Sequence, residues 1–348
     1  MDKFASPTGS NDQSKNFECD DGIFLNGIWK IPTGPTKACA LILQGSGNIG
    51  MDGEVSSPIL GFPYKSEKAP LSEQLAISLA EVGVASFRYS KRGFEDPDQL
   101  KNQITDYLAK DAERAALLIR LRFPSNKLFG VAFSEGAILA LLIADSIKWD
   151  GLFLFGLPTR PINQIFSYQF LSWPTTLFKS RLKSDPEGLI SKDELSKLAS
   201  EFLPLLGAPW QTIGNDDPKS LSISKQIIPA YEALLTNVLQ VMQSPPYAGW
   251  YNSMKKLPDF KNLASQTLAP VWLYHGNEDA QVSIEWILED QTHFPGKRVL
   301  RNYPGLGHCF SPHDGHFGEV KTSGPIQAQV IEDLKQDLRE ALIGFTTS

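Results

Sequence analysis

The chain has 348 residues, 42% of them hydrophobic and 21% charged, with a formal net charge of −6. That composition fits a soluble globular protein, and the acidic balance excludes a dedicated nucleic-acid binder, which needs a basic surface to neutralise phosphates. No stretch of about 18 consecutive apolar residues occurs, so no membrane-spanning helix is expected.

Residues 1–15 are polar and read as a flexible N-terminal tail without the apolar core of a secretory signal. The three cysteines, Cys19, Cys39 and Cys309, have neither metal-ligand spacing nor even pairing, so a cytoplasmic location is the simplest expectation. Residues 22–31 alternate apolar positions (Ile23, Leu25, Ile28) as a strand or hairpin would. Residues 37–43 (KACALIL) form a continuous apolar run, expected of a strand buried on both faces, and end in the loop Gln44-Gly45-Ser46-Gly47. Helical spacing follows over 71–81, a strand over 84–89, and a long amphipathic helix over 100–123. Residues 128–133 read as a strand, 135–147 as a helix, and 151–155 as another strand.

The interval 158–267 differs. It carries helical patterns, several prolines and many aromatics, but no convincing buried strand, and reads as a helical cap insertion. Strand patterns resume at 270–274 and 298–303, and a last helix is expected from Ser323-Gly324-Pro325 onward. Alternating strand and helix signals predict an α/β fold. It has a mostly parallel central sheet flanked by helices, formed by residues 16–157 and 268–348.

The chemistry-bearing motif is Ala132-Phe133-Ser134-Glu135-Gly136, where a strand turns directly into a helix. It lies one residue from G-x-S-x-G, the turn that exposes a nucleophilic serine at the carboxyl edge of such a sheet. Taken alone, Ser134 reads equally well as a helix cap. A nucleophile needs an acid and a base later in the chain, and each follows its own strand: Asp279 within HGNEDAQV and His308 within YPGLGHCF. Glu278 is the alternative acid, and His313 and His316 are alternative bases. The order Ser, Asp, His is that of an acyl-transfer triad. His308 would take the Ser134 proton, and Asp279 would orient the imidazole. Backbone N–H groups of Glu135 and of Ser46 or Gly47 are the expected oxyanion donors.

These motifs resemble α/β-hydrolase-fold serine hydrolases, and among them the EstD-type and serine aminopeptidase-like esterase branch. The branch pattern G-S-G-P-x-D-R-D-G compares with Gly45 to Gly53, and R-Y-D-K-R-G with Arg88 to Gly93. G-H-S-E-G compares with 132–136, G-x-x-D-x-Q-V with Gly276 to Val282, and an R-P with a later glutamine compares with Arg160, Pro161 and Gln169. The resemblance implies an α/β-hydrolase fold with a cap, no cofactor and no metal, and hydrolysis of a carboxylic ester or thioester of a small-molecule acyl substrate. A homodimer is left open.

The departures are Asn48, Gly50 and Met51 in the donor loop, Ser90 for Asp, an added loop over 54–69, and Phe133 for the usual His. They predict a more apolar pocket, with Phe133, Trp173, Trp210 and Trp250 as candidate substrate contacts. They also keep acyl transfer, cyclisation or C–C-bond chemistry open as the alternative to hydrolysis. Arg88, Lys91 and Arg92 read as structural charges tying loops together.

Overall fold

The computed structural model describes residues 10–54, 71–181, 188–199, 220–312 and 325–343. Eight strands form one sheet: β1 (Ser10–Glu18), β2 (Phe24–Pro32), β3 (Ala38–Leu43), β4 (Val84–Tyr89), β5 (Lys127–Phe133), β6 (Gly151–Phe155), β9 (Val271–Gly276) and β10 (Arg298–Tyr303). Their order is β1-β2-β4-β3-β5-β6-β9-β10. β2 pairs antiparallel with both β1 and β4, and the six strands from β4 to β10 in that order run parallel to one another.

The central strands are apolar throughout because both faces are covered. In β3, Ala38, Ala40 and Ile42 face one hydrophobic cluster while Cys39, Leu41 and Leu43 face another. β9 divides the same way, with Trp272 and Tyr274 on one face and Val271 and Leu273 on the other. Period-two alternation between two apolar layers accounts for a run that shows no polar face in sequence. The helices Leu71–Glu81 and Ala328–Ile343 cover the first face; Thr105–Arg122, Glu135–Leu142 and Phe260–Gln266 cover the second. Across the sheet, Phe153 stacks on Trp272 and Phe155 on Tyr274, with ring centroids 4.5 and 4.3 Å apart.

Several expectations are corrected. From Ser10 onward the expected tail is an edge strand, registered against β2 from Ser10↔Pro32 to Glu18↔Phe24. Backbone pairing to β2, together with the Lys30–Asp12 ion pair, holds a sequence too polar to signal a strand. The long helix begins at Thr105, after a separate 3₁₀ turn over Pro97–Asn102 capped by Asp96. The last helix begins at Ala328, three residues beyond Pro325.

Between β6 and β9, the described residues build a third hydrophobic cluster around Phe178, Tyr231 and Leu234. It is mainly helical, as expected. It also contains a short antiparallel pair, β7 (Leu189–Ser191) and β8 (Ser220–Ser222), which buries Ile190 and Leu221. Three-residue strands are too short to leave a pattern. The added loop over 54–69 lies almost wholly outside the described residues, as do Trp210, His313 and His316.

Candidate active site

Ser134 sits between the end of β5 and the helix Glu135–Leu142 with φ 53° and ψ −120°, a conformation that L-residues rarely adopt. Two features hold the strain. The Ser134 N–H donates to Phe155 O at 2.8 Å, extending the β5–β6 ladder by one bond. The helix also starts so close to β3 that a Cβ at Gly136 would lie 2.4 Å from Leu43 O. Gly136 is therefore obligatory. Ala132, in the position of the missing glycine, is fully buried between Leu43 and Leu154, with room for its methyl group. The Ser134 hydroxyl makes no cap hydrogen bond, so the capping alternative fails.

Asp279 and His308 come together from the loops after β9 and β10. His308 Nδ1 lies 2.7 Å from Asp279 Oδ2, with both side chains buried. The other carboxylate oxygen, Oδ1, accepts the N–H groups of Gln281 and Val282 at 2.7 and 2.8 Å. Burial alone would raise the Asp279 pKa. The charge and hydrogen bond of His308, the charge of His275 and the Val282 N–H outweigh it and hold the carboxyl below its ordinary value. An ionised Asp279 can only accept, which fixes the proton on His308 Nδ1 and turns Nε2 outward from the pair. Glu278 is exposed, so among the two acidic candidates Asp279 is the one in the pair.

Two neighbours shape the imidazole's setting. Gly156, with φ 55°, presses on it: a Cβ there would lie 2.8 Å from His308 Cε1 and 3.0 Å from Nδ1. Phe133 packs its half-buried ring against His308, with centroids 4.8 Å apart. A second histidine, His275, is buried with Nε2 3.6 Å from Asp279 Oδ2 and 2.9 Å from Val282 O. Since a carbonyl only accepts, Nε2 carries the proton. Burial pushes the His275 pKa below the usual histidine range, against the pull of Asp279, and keeps the ring neutral.

The donor loop packs directly against the serine. A Cβ on Gly45 would meet Ser134 Cβ at 3.2 Å. Ser46 is exposed, and Gly47 turns the chain with φ 100°. The far end of the loop is pinned by Gln44 Nε2, which donates to Gly50 O and Met51 O at 2.5 and 3.0 Å. Ser90 Oγ accepts the Met51 N–H, supporting the same end.

The three cations read as structural all form ion pairs. Arg88 holds Asp52, and Arg92 holds Asp111 and Asp21. Lys91 Nζ reaches Glu135 Oε2 at 2.6 Å and Gly45 O at 3.0 Å. The inserted segment joins here, since Trp250 Nε1 donates to Glu135 Oε1 at 2.5 Å. It joins again at the acid loop, where Tyr168 OH donates to Asp279 O at 2.9 Å and Gln169 Nε2 to Gln281 O at 3.2 Å. Trp173 packs within the inserted cluster near Tyr168, with ring centroids 6.1 Å apart.

Sequence reading missed Gly156, Tyr168, His275 and the Lys91–Glu135–Trp250 junction. Gly156 alone left a signal, as a glycine directly after a five-residue apolar strand. Among the described residues no cluster of His, Cys, Asp or Glu could hold a metal ion, and no helix is long and apolar enough to cross a membrane.

A strained serine at a strand-to-helix turn in a mostly parallel eight-stranded sheet, with an Asp–His pair on loops after two later strands, marks the α/β-hydrolase fold. No family model matches the chain. It is 27% identical over 198 residues to Esterase EstD of Thermotoga maritima, a match covering 55% of this chain and 44% of that protein. The chain thus matches less than half the length of this relative. Its fold is similar to that of a thermostable carboxyl esterase from Bacillus coagulans (TM-score 0.55, 15% identity, 95% of this chain and 99% of that one). It is also similar to Est1E from Butyrivibrio proteoclasticus (TM-score 0.52, 16% identity, 95% and 99%). The chain therefore has the α/β-hydrolase fold, and it is similar in sequence and fold to esterases.

Proposed function

We propose that this protein is a serine hydrolase that cleaves a carboxylic ester or thioester through an acyl-enzyme on Ser134. The observation that carries this reading is the buried Asp279–His308 hydrogen bond beside a serine held at φ 53° with its hydroxyl uncommitted to a cap.

In this mechanism Ser134 Oγ attacks the substrate carbonyl carbon while His308 Nε2 takes the hydroxyl proton. Asp279 stabilises the imidazolium that forms. The carbonyl oxygen becomes an oxyanion, held by the backbone N–H of Glu135 and of Ser46 or Gly47. Collapse breaks the bond to the leaving alkoxide or thiolate, which receives the His308 proton. Water then repeats the sequence on the acyl-enzyme, releasing the acid and restoring Ser134.

The inserted segment acts as a cap, and the rings of Phe133, Trp173 and Trp250 make the pocket suit a medium-sized, partly apolar acyl group. Phe133 on the face of His308 also favours a second outcome, in which an acceptor other than water takes the acyl group. Product analysis in the presence of alcohol or amine acceptors separates the two.

The deciding experiment is turnover of p-nitrophenyl esters, with fluorophosphonate labelling, for the wild type and Ser134→Ala. The variant should lose labelling and roughly 10⁶-fold in kcat. Equal rates in the two proteins would refute the proposal.

A further inference from the structure

Lys91 is buried, at 5% side-chain exposure, and reaches both halves of the donor site at once. Its ammonium donates to Gly45 O at 3.0 Å and to the Glu135 carboxylate at 2.6 Å. A trans peptide points its C=O and the following N–H in opposite directions, so anchoring Gly45 O on the buried side turns the Ser46 N–H the other way. Gly45 lies against Ser134, since a Cβ added to it would sit 3.2 Å from Ser134 Cβ, and the Ser46 N–H then emerges on the side of the serine.

The other donor is set by the same logic. Ser134 O accepts the Ala137 N–H at 2.9 Å, which aims the Glu135 N–H away from the helix. The Glu135 side chain is held by Lys91 on one oxygen and by Trp250 on the other. One ammonium therefore fixes the relative placement of two peptides that belong to different loops, 89 residues apart in chain order.

We propose that Lys91 is the positioning residue of the oxyanion hole, and that Ser46, rather than Gly47, supplies its second N–H. Trp250 completes the clamp by filling the remaining Glu135 oxygen from the inserted segment. The inference rests on the serine-hydrolase reading, and it adds a role that the chain's charge pattern hides: a buried lysine working through one backbone carbonyl and one carboxylate, never touching substrate.

The test uses Lys91→Met/Glu135→Gln, which removes both buried charges together and so leaves neither uncompensated, and Ser46→Pro, which deletes a single N–H from an exposed loop position. Losing one oxyanion donor costs about 10²–10³ in kcat, and misaiming one costs less. The double variant should lose roughly 10–100-fold in kcat and Ser46→Pro roughly 10²-fold, each with KM within about twofold. Affinity for a boronic-acid transition-state analogue should fall in parallel.

Should the double variant not fold, Ser46→Pro still decides the donor. Wild-type kcat in Ser46→Pro overturns the donor assignment, and wild-type kcat in the folded double variant overturns the role of Lys91. A loss carried by KM alone would make Lys91 a substrate-binding group and overturn the positioning role. A wild type that takes no fluorophosphonate label on Ser134 overturns the serine-hydrolase reading itself, and this inference with it.

Discussion

Gly156→Ala concentrates the active-site argument in one methyl group. Gly156 has φ 55°, and moving an L-residue into that region costs about 1–2 kcal/mol. The added Cβ would lie 2.8 Å from His308 Cε1 and 3.0 Å from Nδ1, but 3.7 Å from Asp279 Oδ2, already an ordinary contact. The imidazole must retreat by about 0.6 Å to reach ordinary contact at 3.4 Å, while nothing pushes Asp279. The displacement therefore falls on the His308 Nδ1–Asp279 Oδ2 bond of 2.7 Å and on the reach of Nε2 toward Ser134. Misplacing a catalytic group by about 1 Å costs on the order of 10²-fold. The expected result is a folded protein, destabilised by about 1–2 kcal/mol in urea titration, whose kcat/KM for p-nitrophenyl esters falls roughly 30- to 100-fold. A variant with native circular dichroism and kcat/KM within twofold of wild type would show that contact with Gly156 does not hold the imidazole in place.

Two further predictions follow from buried charge. His275 has its pKa depressed by burial, so as pH falls through about 6.5 the unfolded chain binds a proton that the folded one refuses. Stability should be full above that pH and decline toward pH 5, by up to about 1.4 kcal/mol per unit for this group; His275→Gln should flatten thermal stability across the same window. An unchanged slope would reject a neutral buried ring. Asp111 is 1% exposed and takes a two-pronged bond from Arg92, with Nε–Oδ2 and Nη2–Oδ1 distances of 2.7 and 2.5 Å. Asp111→Asn should cost about 3–5 kcal/mol in chemical denaturation, because Arg92 keeps only its half-exposed partner Asp21. A loss under about 1 kcal/mol would mean that Asp21 alone suffices.

What could be read from the residues depended on whether the signal was local. β3, β5, β6 and β9 are apolar runs bounded by turns, and the strand-ending positions of Ser134, Asp279 and His308 already pointed to one edge of a parallel sheet. β1 could not be read, since SNDQSKNFE carries one buried aromatic and its pairing partner lies beyond a turn. The junction at Glu135 was invisible for a different reason. Lys91, Glu135 and Trp250 are 44 and 115 residues apart in their contacts, and the separate readings of a loop-tying charge, a backbone donor and a substrate contact do not join them. Conversely, the choice between Asp279 and Glu278, adjacent and chemically alike, needed only burial to separate them, because one points inward and the other to solvent.

The hydrogen bonds from Trp250 and Tyr168 give the inserted segment a history of constraint. Each ends on a residue of the proposed catalytic site, one on the Glu135 carboxylate and the other on the Asp279 carbonyl. A segment joined at such points cannot be exchanged as a free module. A transplanted insertion that lacked an indole and a phenol at those two places would leave the Glu135 oxygen and the acid loop short of donors, whatever pocket it brought. Under the proposed mechanism, substrate preference in this scaffold is tied to catalytic competence, and a change of acyl group must proceed residue by residue while those two donors stay in place.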